Sequence, residues 1–177
     1  MALLNRYYSA YNQLFNRAVQ AQVLITDKSL KVLETLEKVL PKLRRFATAK
    51  LNEQQTKELC DILSKLIEMC HLEGEPEEPN GMNQSILYNH GILEDCFTIL
   101  SQEIDVKLLD QYTGQRQVYQ STFTLLKLMA RQNKVVQGRL FDRLDMLLSK
   151  EGASNELAEC LTEVFTGNST TCMKVNG

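Results

Sequence analysis

The sequence predicts an all-α protein, an armadillo- or HEAT-like α-solenoid of antiparallel helix pairs. Residues 83–100 carry the main observation, because a short helix, a glycine and a longer apolar helix follow one another there, in the order of an armadillo-type unit. Long amphipathic runs dominate the remaining chain, and 177 residues include only eight glycines and three prolines. Both features favour helices over sheets.

The unit at residues 83–100 can be justified residue by residue. Asn83 is predicted to cap its short helix, and Gly91 permits the left-handed backbone that ends it. The second helix carries apolar residues at three-to-four spacing, namely Ile92, Leu93, Cys96, Phe97 and Leu100. Such a unit cannot bury its apolar face alone and must stack on neighbouring units.

The composition excludes several classes of protein. Hydrophobic residues are 44% and charged residues 24% of the chain, as in an ordinary globular protein. A formal net charge of −2 predicts no general attraction to nucleic acid or to an anionic membrane. The N-terminus turns polar at once and predicts no signal peptide, and no run approaches the roughly 20 apolar residues that span a bilayer.

The cysteines predict neither disulfides nor a zinc site. There are five, an odd number, and no two are spaced as a CxxC pair. Cys60, Cys96 and Cys160 fall on apolar helix stripes, so we expect buried, reduced thiols.

We expect one helical-repeat domain over residues 1–177, with long N-terminal helices over 1–70, an acidic linker over 71–81 and armadillo-like repeats over 82–177. The first helix is predicted over residues 3–21, with its tyrosines as core or domain contacts. The second begins near Asp27, and Pro41 should kink or break it. Asn52 and Gln55 predict a capping box for the third, which we expect to form an antiparallel hairpin with the second.

The later part of the chain continues the pattern less strictly. The linker holds four glutamates and two prolines and is expected to be exposed; its spacing does not match a calcium-binding loop. A helix resumes near Gln115. Asn133 and Gly138 then repeat the order of the first unit, 50 positions after Asn83, against roughly 40–47 for armadillo and HEAT units. The last helix is predicted to start at Ser154, and the abrupt end without a polar cap suggests a piece of something longer.

One cluster of charge is a candidate for partner contact. Four basic residues lie close together in residues 42–50, namely Lys42, Arg44, Arg45 and Lys50. Such a cluster can hold a phosphate or an acidic partner surface. The alternative is a solvated helix end, since cations are favourable near the negative C-terminus of the helix dipole.

Catalytic and metal-binding patterns are missing from the sequence. The two histidines, His71 and His90, lie in the linker and at a helix end, where we expect His90 to make a capping contact. There is no phosphate-binding glycine loop, no HExxH and no GxSxG. We therefore predict that the chain is not an enzyme and that it binds no cofactor or metal.

Residues 147–165, LLSKEGASNELAECLTEVF, closely resemble a KEGAS-containing stretch in the central regulatory region of inositol trisphosphate receptors, the intracellular calcium-release channels related to ryanodine receptors. Residues 12–70 are similar to the pair of long helices that precedes the KEGAS stretch in this family. Residues 81–100 are similar to the armadillo unit that follows those helices, and residues 123–129 are similar to the helix after that unit. The family usually carries a long insertion before the KEGAS stretch. Only residues 130–146 stand there in this chain, as in a compact or divergent member.

The resemblance implies a cytosolic coupling segment of a tetrameric channel in the endoplasmic reticulum membrane, transmitting conformational change from ligand-binding to pore regions. Its partners would be neighbouring domains of the same channel, without nucleic acid and without direct membrane contact. The family's ligand and activating calcium sites lie outside this segment, so no residue is assigned to them. Two alternatives remain: a free-standing armadillo-type adaptor that binds a protein or peptide, and, ranked last, a nucleic-acid-binding helical repeat.

Overall fold

The computed structural model describes residues 27–102 and 113–166. These residues are mostly helical, which confirms the all-α prediction. The predicted helix over residues 3–21, Cys172 and the final residues lie outside this part of the chain. The elements are α1 (Asp27–Thr48), α2 (Glu53–Met69), β1 (His71–Leu72), β2 (Glu75–Pro79), α3 (Gly81–Asn89), α4 (Ile92–Ser101), α5 (Thr113–Ala130), α6 (Lys134–Phe141), α7 (Leu144–Leu148) and α8 (Glu156–Thr166).

The chain divides into two compact units, residues 1–36 and residues 37–177. In the described part of the first unit, the Thr35 hydroxyl donates a hydrogen bond to the Lys31 carbonyl within α1, at 2.8 Å. In the second unit α1 continues through Pro41, so the predicted break is absent. Proline removes one backbone donor from the helix. Val39 and Leu43, on either side of the exposed Pro41, are buried and hold this part of the helix by packing.

Helix α2 begins with the predicted capping box. The Asn52 side chain accepts a hydrogen bond from the Gln55 backbone N–H at 2.9 Å, and the Gln55 side chain accepts one from the Asn52 N–H at 3.1 Å. Its apolar stripe is buried and includes Leu59, Leu63 and Leu66. This stripe packs mainly against α5.

Residues 71–79 form a two-stranded antiparallel hairpin, where the sequence suggested a linker. Gly74 takes a φ of +84°, which a tight hairpin turn needs and which glycine adopts without strain. The Asn80 N–H donates to the Cys70 carbonyl at 2.8 Å and closes the base of the hairpin. The strand β2 itself is largely exposed, in keeping with its glutamates.

The corner between α3 and α4 lies at Gly91, as predicted, with a φ of +80°. The apolar residues predicted for α4 are all buried. The cap of α3 is Asn80 and not Asn83, because the Asn80 side chain accepts from the Asn83 N–H. The Asn83 amide instead donates to the Met69 carbonyl at the end of α2, at 2.9 Å.

Helix α5 is the central helix of the second unit. It packs against both α2 and α8, and to a smaller extent against α4 and α6. Its apolar face is buried, with Phe123, Leu125, Leu126 and Met129 among the least exposed side chains of the described residues. Gly114 lies so close to Thr56 of α2 that a Cβ atom there would be 3.0 Å from the Thr56 methyl group.

A sequence repeat links α3 with α6, but not in the predicted register. Asn133 caps α6 as Asn80 caps α3, and a buried glutamine and a buried leucine follow each asparagine at the same spacing, namely Gln84 and Leu87, Gln137 and Leu140. The matching asparagines are therefore 53 positions apart, not 50. Gly138 lies inside α6 without a positive φ, so it does not form the corner that the sequence suggested.

Candidate functional site

Three of the four residues in the basic cluster predicted for partner contact also have contacts within the protein. The Arg44 guanidinium donates to the His90 carbonyl at 2.8 Å, beside the Gly91 corner, and lies 3.5 Å from the Asp95 carboxylate. Burial raises the pKa of the Asp95 carboxyl, and the Arg44 charge opposes this shift. Arg44 therefore ties the end of α1 to the corner between α3 and α4.

Two further members of the cluster also have contacts inside the protein. The Lys42 ammonium lies 3.2 Å from the Glu58 carboxylate of α2. A hydrogen bond from Lys42, followed by its charge, lowers the pKa of Glu58. The Arg45 guanidinium lies 5.0 Å from the centre of the Phe46 ring, within the range of a cation–π contact.

Lys50 is placed differently from the other three. It follows the end of α1, it is exposed, and it lines a cleft of about 470 Å³. The cleft lies where the ends of four helices meet: the C-terminal ends of α1 and α4 and the N-terminal parts of α2 and α5. Volumes of roughly 300–1,000 Å³ are usual for small-molecule sites, which often lie between helices.

The walls of the cleft are mainly apolar. Phe46, Leu59, Ile99 and Val118 line it with buried side chains. Among the described residues that line the cleft, Lys50 is the single charged one. These four apolar side chains are each at most 6% exposed, so they lie beneath the cleft and offer little surface to it.

Gln102 holds one end of the cleft together. Its side-chain amide donates to the Ala47 carbonyl, so it joins the end of α4 to the end of α1. Its own carbonyl accepts from the Lys150 ammonium at 3.2 Å and from the Tyr119 hydroxyl at 3.4 Å. Burial raises the pKa of Tyr119, so this hydroxyl keeps its proton at neutral pH.

The cysteines and histidines do not form a reactive site in the described residues. Burial raises the pKa of the Cys70 and Cys160 thiols to about 12 each, and it also raises the pKa of Cys60 and Cys96. His90 makes the predicted capping contact, with its Nδ1 2.9 Å from the Ile86 carbonyl. Residues 27–102 and 113–166 hold no group of three histidine, cysteine or acidic residues that could bind a metal.

A second set of polar contacts fastens α5 to its neighbours. Lys127 pairs with Glu159 of α8 at 2.7 Å, and Arg131 pairs with Glu163 at 3.2 Å. The buried Gln84 amide donates to the Leu128 carbonyl at 2.7 Å and to the Arg131 carbonyl at 3.0 Å. These contacts anchor the C-terminal end of α5 from two directions.

The buried glutamines are residues that the sequence analysis missed. Gln137 donates to the Ala130 carbonyl at 3.0 Å, so both glutamines of the repeat serve the end of α5. A glutamine looks like a surface residue in a sequence, and the only available signal was its recurrence four positions after a capping asparagine. Their role is structural, because both amides bond to backbone carbonyls inside the protein.

No protein-family model matches this chain, no curated protein matches it, and no solved structure matches it. None of the helices in the described part of the chain combines the length and the apolar character needed to cross a membrane.

Proposed function

We propose that this chain is a non-enzymatic coupling segment of a ligand-gated calcium-release channel of the inositol trisphosphate receptor type. It would act on the cytosolic side of the endoplasmic reticulum, within a tetramer, and transmit conformational change between ligand-binding and pore regions. The channel context rests on the resemblance of residues 147–165 to that family. The observation that supports a coupling role is the position of α5, packed against both α2 and α8.

The physical argument concerns how a displacement would pass through α5. A well-packed interface is not continuously deformable, so helices joined by such interfaces move together as rigid bodies. Apolar side chains on α5 are buried, and the pairs Lys127–Glu159 and Arg131–Glu163 oppose sliding of α8 along α5. A movement imposed on α2 would therefore reach α8 through α5.

The proposal includes a repeat architecture. Helices α3, α4 and α5 would form one armadillo-type unit, α6, α7 and α8 the next, and α2 the last helix of a preceding unit. The recurrence of a capping asparagine, a buried glutamine and a buried leucine at the start of α3 and of α6 supports this division. The packing of α2 against α5 and of α5 against α8 also supports it.

The adaptor alternative receives less support. A free-standing armadillo adaptor that grips a peptide is expected to present a ladder of exposed asparagine or aromatic side chains along one face. In the described residues the amides of Asn83, Gln84 and Gln137 bond to carbonyls of the protein itself. They are thus occupied and not available for a peptide.

A charge exchange at the α5–α8 interface tests the coupling role in the full-length protein. Lys127→Glu places two negative charges together, because Lys127 Nζ lies 2.7 Å from the Glu159 carboxylate and the Lys127 side chain is only 19% exposed. We expect a loss of roughly 1 kcal/mol in coupling, about a fivefold shift in the ligand concentration for half-maximal calcium release. Glu159→Lys should act likewise, and the double exchange should restore release.

The control is Lys65→Glu, which changes the net charge equally at an exposed position of α2. Thermal unfolding of the same variants separates a folding defect from a coupling defect. Unchanged calcium release in both single variants, each with a reduced unfolding temperature, would contradict the coupling role.

A further inference from the structure

Three basic side chains on α1 form a stripe that the coupling role does not use. Lys38, Lys42 and Arg45 follow one another at four- and three-residue spacing, which places them on one face of the helix, and all three are exposed. We call these three residues the basic stripe. Arg44 is turned away from it, because its guanidinium donates to the His90 carbonyl at 2.8 Å.

The charges of the basic stripe are only weakly engaged within the protein. Lys42 lies 3.2 Å from Glu58, but 58% of the Lys42 side chain and 35% of the Glu58 side chain are exposed. An ion pair this exposed contributes little, because water screens the two charges. Lys38 forms no ion pair with another described residue. The stripe can therefore exchange water for a negatively charged partner at small cost.

The hairpin at residues 71–79 carries the opposite charge. Glu75, Glu77 and Glu78 are exposed on it, and the Glu77 side chain is 92% exposed. The Arg131 guanidinium donates to the Glu77 carbonyl at 3.3 Å, which holds the hairpin against the end of α5. The three carboxylates thus project from an element that is attached to the rest of the protein.

We propose that this hairpin binds the basic stripe of a second copy of the same chain, head to tail. The two surfaces match in charge, with three cations on one and three carboxylates on the other. They also match in length, because Lys38 and Arg45 are about 10 Å apart along a helix and the extended residues 75–78 span at most about 10 Å. Pro76 and Pro79 lack the N–H groups that a further strand would need along β2, so the contact is made by side chains.

Within one chain the two surfaces lie apart. Glu58, which pairs with Lys42, and Cys70, at the base of the hairpin, are twelve positions apart in the sequence. A helix rises by 1.5 Å per residue, so about 18 Å separate these positions along α2. That distance is far longer than an ion pair, which places the partner of the stripe in another copy.

A contact between two different surfaces of the same chain is heterologous, and repeated contacts of this kind close into a ring when the rotation between copies allows it. Exposed ion pairs are individually weak, so we expect a dissociation constant on the order of 1 mM between isolated chains. In the proposed tetramer, neighbouring copies would be held at high effective concentration, and the same contact would form. That last step rests on the proposed function, whereas the contact itself does not.

Carbodiimide cross-linking of a mixture of unlabelled and ¹⁵N-labelled copies of the full 177-residue chain tests the proposal. The reagent joins a lysine amine to a carboxylate that is in contact with it. We expect cross-linked peptides of mixed isotope composition that join Lys38 or Lys42 to the glutamates of the hairpin. Salt at about 0.5 M should abolish them, because it screens exposed charges. Lys127 and Glu159, 2.7 Å apart in one chain, should cross-link without mixing isotopes and are the internal control.

Charge exchange identifies the residues responsible. Lys38→Glu and Glu75→Lys should each raise the dissociation constant for self-association roughly fivefold, measured from amide NMR shifts over a range of protein concentrations. A mixture of the two variants should associate as tightly as the unsubstituted chain, because each reversed charge then meets its opposite. Lys57→Glu changes the net charge as Lys38→Glu does, at an exposed position of α2, and should have no effect.

Cross-links confined to single chains, or self-association that is unaffected by Lys38→Glu, would overturn the proposal. Cross-links that join the stripe to Glu103, Asp105 or Asp110 in place of the hairpin would overturn it too. If the stripe shifted with vesicles that contain phosphatidylserine but not with a second copy, the result would overturn the proposal and identify a membrane contact. None of these outcomes depends on calcium release, so the coupling role is tested separately.

Discussion

Replacing Gln84 by methionine removes the amide that anchors the end of α5 while keeping the length of the side chain. Gln84 is only 2% exposed, and its Nε2 donates to the carbonyls of Leu128 and Arg131. Among the described residues these two carbonyls have no other hydrogen-bond donor in the turns and caps around the helix end. Methionine would leave the buried Leu128 carbonyl without a partner.

The size of the effect follows from the burial of the two bonds. A buried acceptor that loses its partner costs about 1–3 kcal/mol, and a part-buried one less, because water can reach it. The bond to Leu128 is buried and that to Arg131 is part-buried. We expect Gln84→Met to lower the free energy of unfolding by about 2–3 kcal/mol, which corresponds to a decrease of roughly 5–10 °C in Tm.

The repeat provides a matched control in Gln137→Met. The Ala130 carbonyl that Gln137 serves also accepts from the Asn133 N–H at 3.0 Å, so it stays satisfied. Moreover, the Gln137 Oε1 atom is buried without a hydrogen-bond partner among the described residues, and methionine removes it. We expect a loss below about 1 kcal/mol. Urea unfolding of both variants measures the difference, and an equal or larger loss for Gln137→Met would refute this reasoning.

Three further predictions concern two glycines, one partly buried carboxyl group and the cysteines. Gly91→Ala should destabilise the protein by about 1 kcal/mol, because the alanine would have to adopt a φ of +80°. Gly138→Ala lies inside α6 and faces open space, so it should stabilise the protein by about 0.5–1 kcal/mol. Urea unfolding compares the two variants, and a change of the same sign in both would be inconsistent with a corner at Gly91. Asp95 has a raised folded pKa, so the folded state binds its proton more tightly than the unfolded state, and its contribution to stability should be largest at acid pH and decline as the pH rises through the folded pKa. Unfolding of Asp95→Asn and of the unsubstituted chain over the acid range measures this contribution. If the free energy of unfolding of the unsubstituted chain, relative to that of Asp95→Asn, rose with pH, the prediction would be wrong. Iodoacetamide reacts with thiolates, and burial raises the pKa of four thiols. We therefore expect mass spectrometry to find little alkylation of these four thiols at neutral pH in the folded chain and full alkylation in urea. Equal alkylation rates in both conditions would contradict this prediction. These thiols are Cys60, Cys70, Cys96 and Cys160.

The parts of the fold that depend on neighbouring residues could be predicted from the sequence. The capping box at Asn52 and Gln55 involves residues three apart, and the left-handed turn at Gly91 depends on one missing Cβ atom. The apolar stripes were correct for the same reason, because helical spacing alone decides which residues share a face. Local rules thus predicted the helices and most of their buried residues.

The rest depends on contacts between distant residues. Arg44 meets Asp95 and the His90 carbonyl, and no local pattern in the sequence indicates these contacts. Asn80 and Asn83 are equally suited to cap a helix. What distinguishes them is the Met69 carbonyl, which accepts from the Asn83 amide.

The same limit applies to the candidate site. Lys50 was singled out as a basic residue, but the cleft that it lines is formed by four helix ends from separate parts of the sequence. The hairpin at residues 71–79 was interpreted as a linker because its strands are rich in glutamate and proline, whereas its turn depends on Gly74 and its closure on Cys70 and Asn80.

The reading frame of the native transcript that encodes these 177 residues tests the proposed channel role most directly. A coupling segment of a calcium-release channel requires a frame that continues far beyond Gly177 into a region with several membrane-spanning helices. We expect such a frame. A frame that stops near Gly177 would contradict the channel role and would favour the free-standing adaptor.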